Sequence, residues 1–201
     1  MLTSQRVRDF WLHMQNEFGS SVVQKDESAV MKAAASLLDV LDIQDKEQFM
    51  KDFVTTLHRT IYIPFIVGVE GSGGHWSLWS QIRVCVHENQ HVVQSDRDGL
   101  PEFAARYLTS SSFRAGYEAE AYGCDLEMEF WRQGANFNPY DFALQRAQGL
   151  KSYGCSEGDI DQAATMLALR AGVVVQGVVE TKSSQVAIEW LENNVPGLRS
   201  V

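Results

Sequence analysis

Val84-Cys85-Val86-His87-Glu88-Asn89-Gln90-His91-Val92-Val93 is a run without glycine or proline, and the rest of the chain is read outward from it. Positions four apart lie one above the other on a helix, so His87 and His91 can aim two imidazoles at one point. That separation suits two ligands of a tetrahedral Zn²⁺. Glu88, beside the first histidine, can reach water on such a metal without ligating it, which is where a general base belongs in metal-assisted hydrolysis. Cys85 lies roughly 200° around the helix from His87, which makes it a poor ligand. It is read as a small buried hydrophobe.

A catalytic zinc takes three protein ligands and leaves one position for water. The third is sought in Arg114-Ala115-Gly116-Tyr117-Glu118-Ala119-Glu120-Ala121-Tyr122-Gly123-Cys124-Asp125. Glu118 and Glu120 are two apart on a helix, so only one of them can face the metal. Glu118, Tyr122 and Asp125 share a stripe, whereas Glu120, Glu127 and Cys124 lie on another face.

Patterning places these segments among many helices. Residues 3–18 predict an amphipathic helix with Val7, Phe10, Trp11 and Met14 on one stripe, ended by Gly19 and the polar Ser20-Ser21. Helices are predicted over Ala29 to Leu41 and, flanked by Asp42 and Asp45, over Lys46 to His58. Thr60 to Val69 is β-branched and aromatic, the mark of a strand. Pro64 within it indicates an edge or a bulge, and an edge strand can receive an extended peptide by strand addition. A purely structural strand is the other reading. Gly71-Ser72-Gly73-Gly74 is a loop without the Lys-Ser/Thr of a phosphate loop. The motif helix is predicted from Ser77 to Gln94, ahead of the turn at Asp96 to Gly99. Further helices are expected over Pro101 to Leu108, Phe113 to Gln133, Pro139 to Leu150, Ser156 to Val179 and Ser183 to Asn193.

His87-Glu88-x-x-His91 followed by Arg114-x-x-Tyr117-Glu118-x-Glu120-Ala121-Tyr122 resembles the gluzincin pattern. More narrowly, it is similar to small, uncharacterised zincin-like metallopeptidases of phages and bacteria. The resemblance covers roughly residues 60–135. It implies that Glu118, opening a Glu-x-x-Ala signature at Glu118 to Ala121, is the third ligand, in agreement with the stripe. It implies a Tyr or His that steadies the oxyanion, with Tyr122 as the catalytic candidate and His75, Tyr140 and Tyr153 as further options. Many gluzincins continue the signature with an aspartate behind a zinc-bound histidine. Tyr122 stands there in this chain, and Asp125, one turn on, is the candidate for that support.

The fold class expected is α+β and predominantly helical, a zincin-like core with a small sheet or hairpin beside the metal-binding helix. One domain is expected over 1–201, with N-terminal helices over 1–58, the metal-binding core over 60–135 and C-terminal helices over 136–201. A net charge of −9 argues against a nucleic-acid partner. No apolar run approaches the roughly 20 residues that span a bilayer, and the charged N-terminus does not read as a signal peptide. Three scattered cysteines, 85, 124 and 155, make no disulfide framework and suit a reducing compartment: the cytoplasm, a phage host's cytoplasm or a virion. The expected function is zinc-dependent hydrolysis of a peptide or protein substrate, with Glu88 as general base. The alternatives are a non-catalytic structural or assembly protein, such as a phage virion component, and a zinc-binding regulatory or toxin-type module.

Overall fold

The computed structural model describes residues 1–40 and 46–199, and among them the chain is mostly helical with one small sheet. Helix α1 (Ser4–Phe18) starts where the Thr3 hydroxyl accepts from the Arg6 N–H, and it stops at Gly19, whose φ of 60° is the left-handed cap that glycine adopts freely. Its stripe is as expected: Val7, Phe10, Trp11 and Met14 are all buried.

Strand β1 (Ser21–Gln24) follows at once, where only a polar break was expected. Helix α2 (Ala29–Val40) matches its prediction; the expected end at Leu41 and the flanks Asp42 and Asp45 lie outside the described residues. Helix α3 (Lys46–Asp52) is shorter than the predicted Lys46 to His58. The cause is local. Lys25 is fully buried and donates to the carbonyls of Phe49 (2.7 Å) and Phe53 (3.0 Å) and to Thr55 Oγ1 (2.9 Å). These bonds occupy carbonyls that a continuing helix would have used, and the β-branched Thr55-Thr56 turns to sheet pairing as β2 (Thr55–Leu57).

Strand β3 (Thr60–Ile63) completes the sheet in the order β1-β3-β2, parallel to β1 and antiparallel to β2. The expected strand over 60–69 therefore ends at Ile63, and it is the central strand, not an edge. Pro64 falls just past the ladder, so its missing N–H interrupts nothing. Ile61 and Ile63 point into the core and alternate with half-buried Thr60 and Tyr62. Residues 64–74 turn back on themselves, and Gly68, at φ 75°, donates its N–H to Gln81 Oε1. The edge facing the motif helix is β2, which packs against it.

Helix α4 (Leu78–Asp98), capped by Ser77, runs through the middle of the molecule. It packs against α1, β2, α5 (Leu100–Thr109), α6 (Ser111–Gln133) and α9 (Lys182–Asn194). One core joins α1, β3, α4 and α9; a second joins α6 to α7 (Pro139–Gly149) and α8 (Glu157–Val174). Helix α8 stops before the expected Val179, in a turn where Gly177 has φ 78°. Both cores meet at α6, so the motif helix and the helix carrying Glu118 lie side by side. No helix among the described residues is long and apolar enough to cross a membrane.

Candidate metal centre

Helix α4 is buried on nearly every side between Cys85 and Ser95. A polar run in that setting costs free energy unless each group finds a partner. The His87 and His91 rings lie one turn apart, edge to face, with centroids 5.0 Å from each other. Helix α6 brings Glu118 against both: His87 Nε2 lies 3.5 Å from Glu118 Oε2, and His91 Nε2 lies 3.5 Å from Glu118 Oε1. One ligating atom from each residue falls within 4.8 Å of the other two. A tetrahedral site with bonds of 2.0–2.1 Å has ligand-to-ligand edges of about 3.4 Å, so these separations fit a metal ion. Glu118 Oε2, the oxygen that faces His87, is buried and accepts no hydrogen bond. Together His87, His91 and Glu118 form a buried group that can hold a metal ion.

The surrounding contacts fix how each ligand points. Gln94 donates through Nε2 to the Tyr117 carbonyl (2.9 Å), which leaves its Oε1 to face His91 Nδ1 at 2.8 Å. An amide oxygen only accepts, so His91 carries its proton on Nδ1 and presents the Nε2 lone pair to the site. Tyr107 on α5 donates to Glu118 Oε1 at 2.6 Å. Asp125 lies behind His87, with Oδ1 3.9 Å from Nδ1, beyond hydrogen-bond range, and that oxygen has no other partner among the described residues.

Burial alone would lower the His87 pKa, but the Glu118 carboxylate in contact with its Nε2 and the nearby charges of Asp125 and Glu88 outweigh it and hold it at about 9. Burial would raise Glu118, yet the imidazoles of His91 and His87 beside it and the Tyr107 hydroxyl bring it down to about 2. Without a metal, the cluster is thus an ion pair whose cation is the His87 proton. A metal ion bound here would replace that proton.

Glu88 is 4% exposed, and its Oε2 accepts from Thr56 Oγ1 of the edge strand β2 at 2.7 Å. It lines the same cleft as His87, a cavity of about 300 Å³ walled by Phe53 and Val54 on one side and Tyr122, Asp125 and Tyr153 on the other. The Tyr122 ring lies 5.1 Å from His87, and burial pushes its hydroxyl pKa up, so it stays protonated. Tyr153 stands beside it, likewise protonated. Tyr140, half-exposed on α7, and His75, exposed and stacked on Trp76, do not line the cleft.

Glu120 faces away from the cluster, as its helical phase requires, and accepts from Gln90 and Arg97. Cys85 is wholly buried, and desolvation raises its thiol pKa well above the usual value, as suits an apolar filler. Three site residues escaped the sequence reading: Gln94, Tyr107 and Thr56. Gln94 was within reach, since it sits three residues after His91 on the same helix. Tyr107 carried no such signal, and Thr56 lay in a segment predicted as helix. Comparison of the chain with protein-family models, with curated proteins and with solved structures gives no match.

Proposed function

We propose that the protein is a zinc-dependent peptidase in which Glu88 is the general base and His87, His91 and Glu118 hold the metal. The observation that carries this reading is the position of Glu88. It follows His87 directly, faces the cleft, is held by a hydroxyl, and is left out of the ligand cluster. Two histidines and one carboxylate are a donor set that suits Zn²⁺. Lewis acidity is the chemistry such an ion supplies: it brings the pKa of water toward ~7 and polarises a substrate carbonyl.

The side chains do the rest. Thr56 fixes Glu88 Oε2, leaving Oε1 to take a proton from attacking water and pass it to the leaving amine. Gln94 and Tyr107 keep the ligands from swinging out of line. The protonated hydroxyls of Tyr122 and Tyr153 line the wall where charge grows on the carbonyl oxygen, and Tyr122 is the nearer to His87. Strand β2 has its outer edge unpaired within the sheet and can align an extended peptide.

The test is elemental analysis of protein purified with zinc present, followed by digestion of casein and a peptide library. Wild type should carry one zinc and cleave. Glu88→Gln should keep the zinc and lose turnover, and His91→Ala should lose the zinc. Wild-type protein without stoichiometric zinc, or Glu88→Gln cutting at the wild-type rate, overturns the proposal.

A further inference from the structure

We propose that the cleft selects peptides carrying a carboxylate near the scissile bond, gripped by Arg83 and Arg146. This rests on the peptidase reading and adds the class of substrate to it. Both arginines line the cleft. Arg83 lies one helical turn before His87 on α4, and Arg146 extends from α7 over the Tyr122 ring, its guanidinium 5.5 Å from the ring centre. Both also lie against one aromatic ring, Phe142, at 5.7 Å and 4.7 Å, which places the two forks at the same end of the cleft.

Each fork is ion-paired but keeps donors to spare. Arg83 stands 3.4 Å from Glu129 Oε1 and Arg146 stands 3.6 Å from Asp125 Oδ2, close enough to balance charge, and neither arginine donates a hydrogen bond among the described residues. Glu129 already accepts from Trp79 Nε1 (2.9 Å) and Gln133 Nε2 (2.7 Å), so its oxygens are engaged elsewhere. Arg146 Nε, the atom nearest Asp125, is buried without a hydrogen bond. A guanidinium offers five donors in a planar fork matched to a carboxylate, and two such forks with unspent donors in a chain of net charge −9 are a costly way to line a pocket for neutral ligands. The carboxylate has two sources, an acidic side chain or a free C-terminus, and both present the same chemistry.

The experiment measures binding by calorimetry to zinc-loaded Glu88→Gln protein, which keeps the peptide intact. Three peptides of one sequence are compared: amidated with a central Glu, free-acid with a central Gln, and amidated with a central Gln. One of the two anionic peptides should bind about tenfold or more tightly than the neutral one, and which of them does so identifies the source. Adding Arg83→Gln or Arg146→Gln should bring that advantage below about threefold, while Arg→Lys at either position, which keeps charge but loses the fork, should leave part of it. Equal binding of all three peptides overturns the proposal. So does a preference that survives the double Arg83→Gln/Arg146→Gln change, since the carboxylate would then be seated on the metal. Should the Gln variants fail to fold, the paired Lys variants carry the same comparison. Binding is read without turnover, so failure of wild type to cleave any peptide defeats the peptidase reading while the preference remains measurable.

Discussion

Tyr107→Phe removes one oxygen atom and tests the geometry of the metal centre with little disturbance to packing. The ring of Tyr107 sits against Phe103 (centroids 6.0 Å apart) and edge-on to His91 (6.4 Å), contacts that phenylalanine preserves. What is lost is the 2.6 Å bond to Glu118 Oε1. Glu118 is 2% exposed, and its other oxygen accepts no hydrogen bond, so water does not readily replace the hydroxyl. A hydrogen bond to a buried charge is worth about 1.5–3 kcal/mol, which is the expected loss of stability in the metal-free protein. With that restraint gone the carboxylate can swing, and zinc affinity should fall about 10–100-fold, the usual cost of removing a group that orients a ligand. Urea unfolding of chelator-treated protein reads the first quantity, and competition with a fluorescent zinc chelator reads the second. Affinity within threefold of wild type, with stability unchanged to within about 0.5 kcal/mol, would refute the assignment of Glu118 as a ligand held by Tyr107.

Thr56→Val keeps the β-branched shape in the strand but frees Glu88; zinc content should be unchanged while kcat falls about tenfold or more, measured on the best library peptide. Gln94→Leu removes the acceptor that sets the His91 tautomer, and zinc affinity should again drop about 10–100-fold in the chelator assay. Burial brings Lys25 down to about 7, with Glu88 opposing, while the unfolded chain keeps the ordinary value. Between pH 7 and that ordinary value, the unfolded state binds the extra proton, so this group makes stability rise with pH there and contributes no slope below pH 7. Subtracting the Lys25→Met unfolding curve from wild type should show that rise, and a flat difference refutes it. Glu127→Ala strips the buried carboxylate that accepts the Glu180 and Thr181 N–H groups and faces Arg170; it should cost about 3 kcal/mol in urea unfolding by loosening α9.

Periodicity made α1 readable, since it buries a stripe whose spacing is written in the residues. The ligand set was readable for the same reason: four-residue spacing fixes His87 against His91, and helical phase separates Glu118 from Glu120. The sheet was not. Strand β1 is four residues opening on a serine, and it is a strand because β3 lies beside it, a pairing across about forty residues that no local pattern reports. The end of α3 depends on Lys25, more than twenty residues away, reaching the carbonyls of Phe49 and Phe53. Tyr107 meets Glu118 only because α5 folds back on α6. Interactions set by a helix's own pitch can be read from one sequence, whereas those set by which elements meet cannot.

The same distinction bears on whether the centre serves chemistry or only structure. Along α4 the buried polar side chains are nearly all answered: Gln81 by Gly68, Val69 and Trp76, Asn89 by Ser20 and Cys85, Gln90 by Glu120 and Ser183, and Gln94 by Tyr117 and His91. The exceptions cluster. Of six buried side-chain nitrogen or oxygen atoms without a hydrogen-bond partner among the described residues, Glu118 Oε2 belongs to the ligand group, and Trp76 Nε1, Asp125 Oδ1 and Arg146 Nε belong to residues lining the cleft. Each such atom costs about 1–3 kcal/mol, comparable to a sizeable share of a domain's whole stability. A scaffold whose only task is to stand gains by replacing these groups with apolar ones of the same volume. Retaining Glu118 Oε2 in the cluster and three more such atoms on residues lining the adjoining cleft is what a bound ligand would account for, and the proposed metal ion with its substrate would supply one.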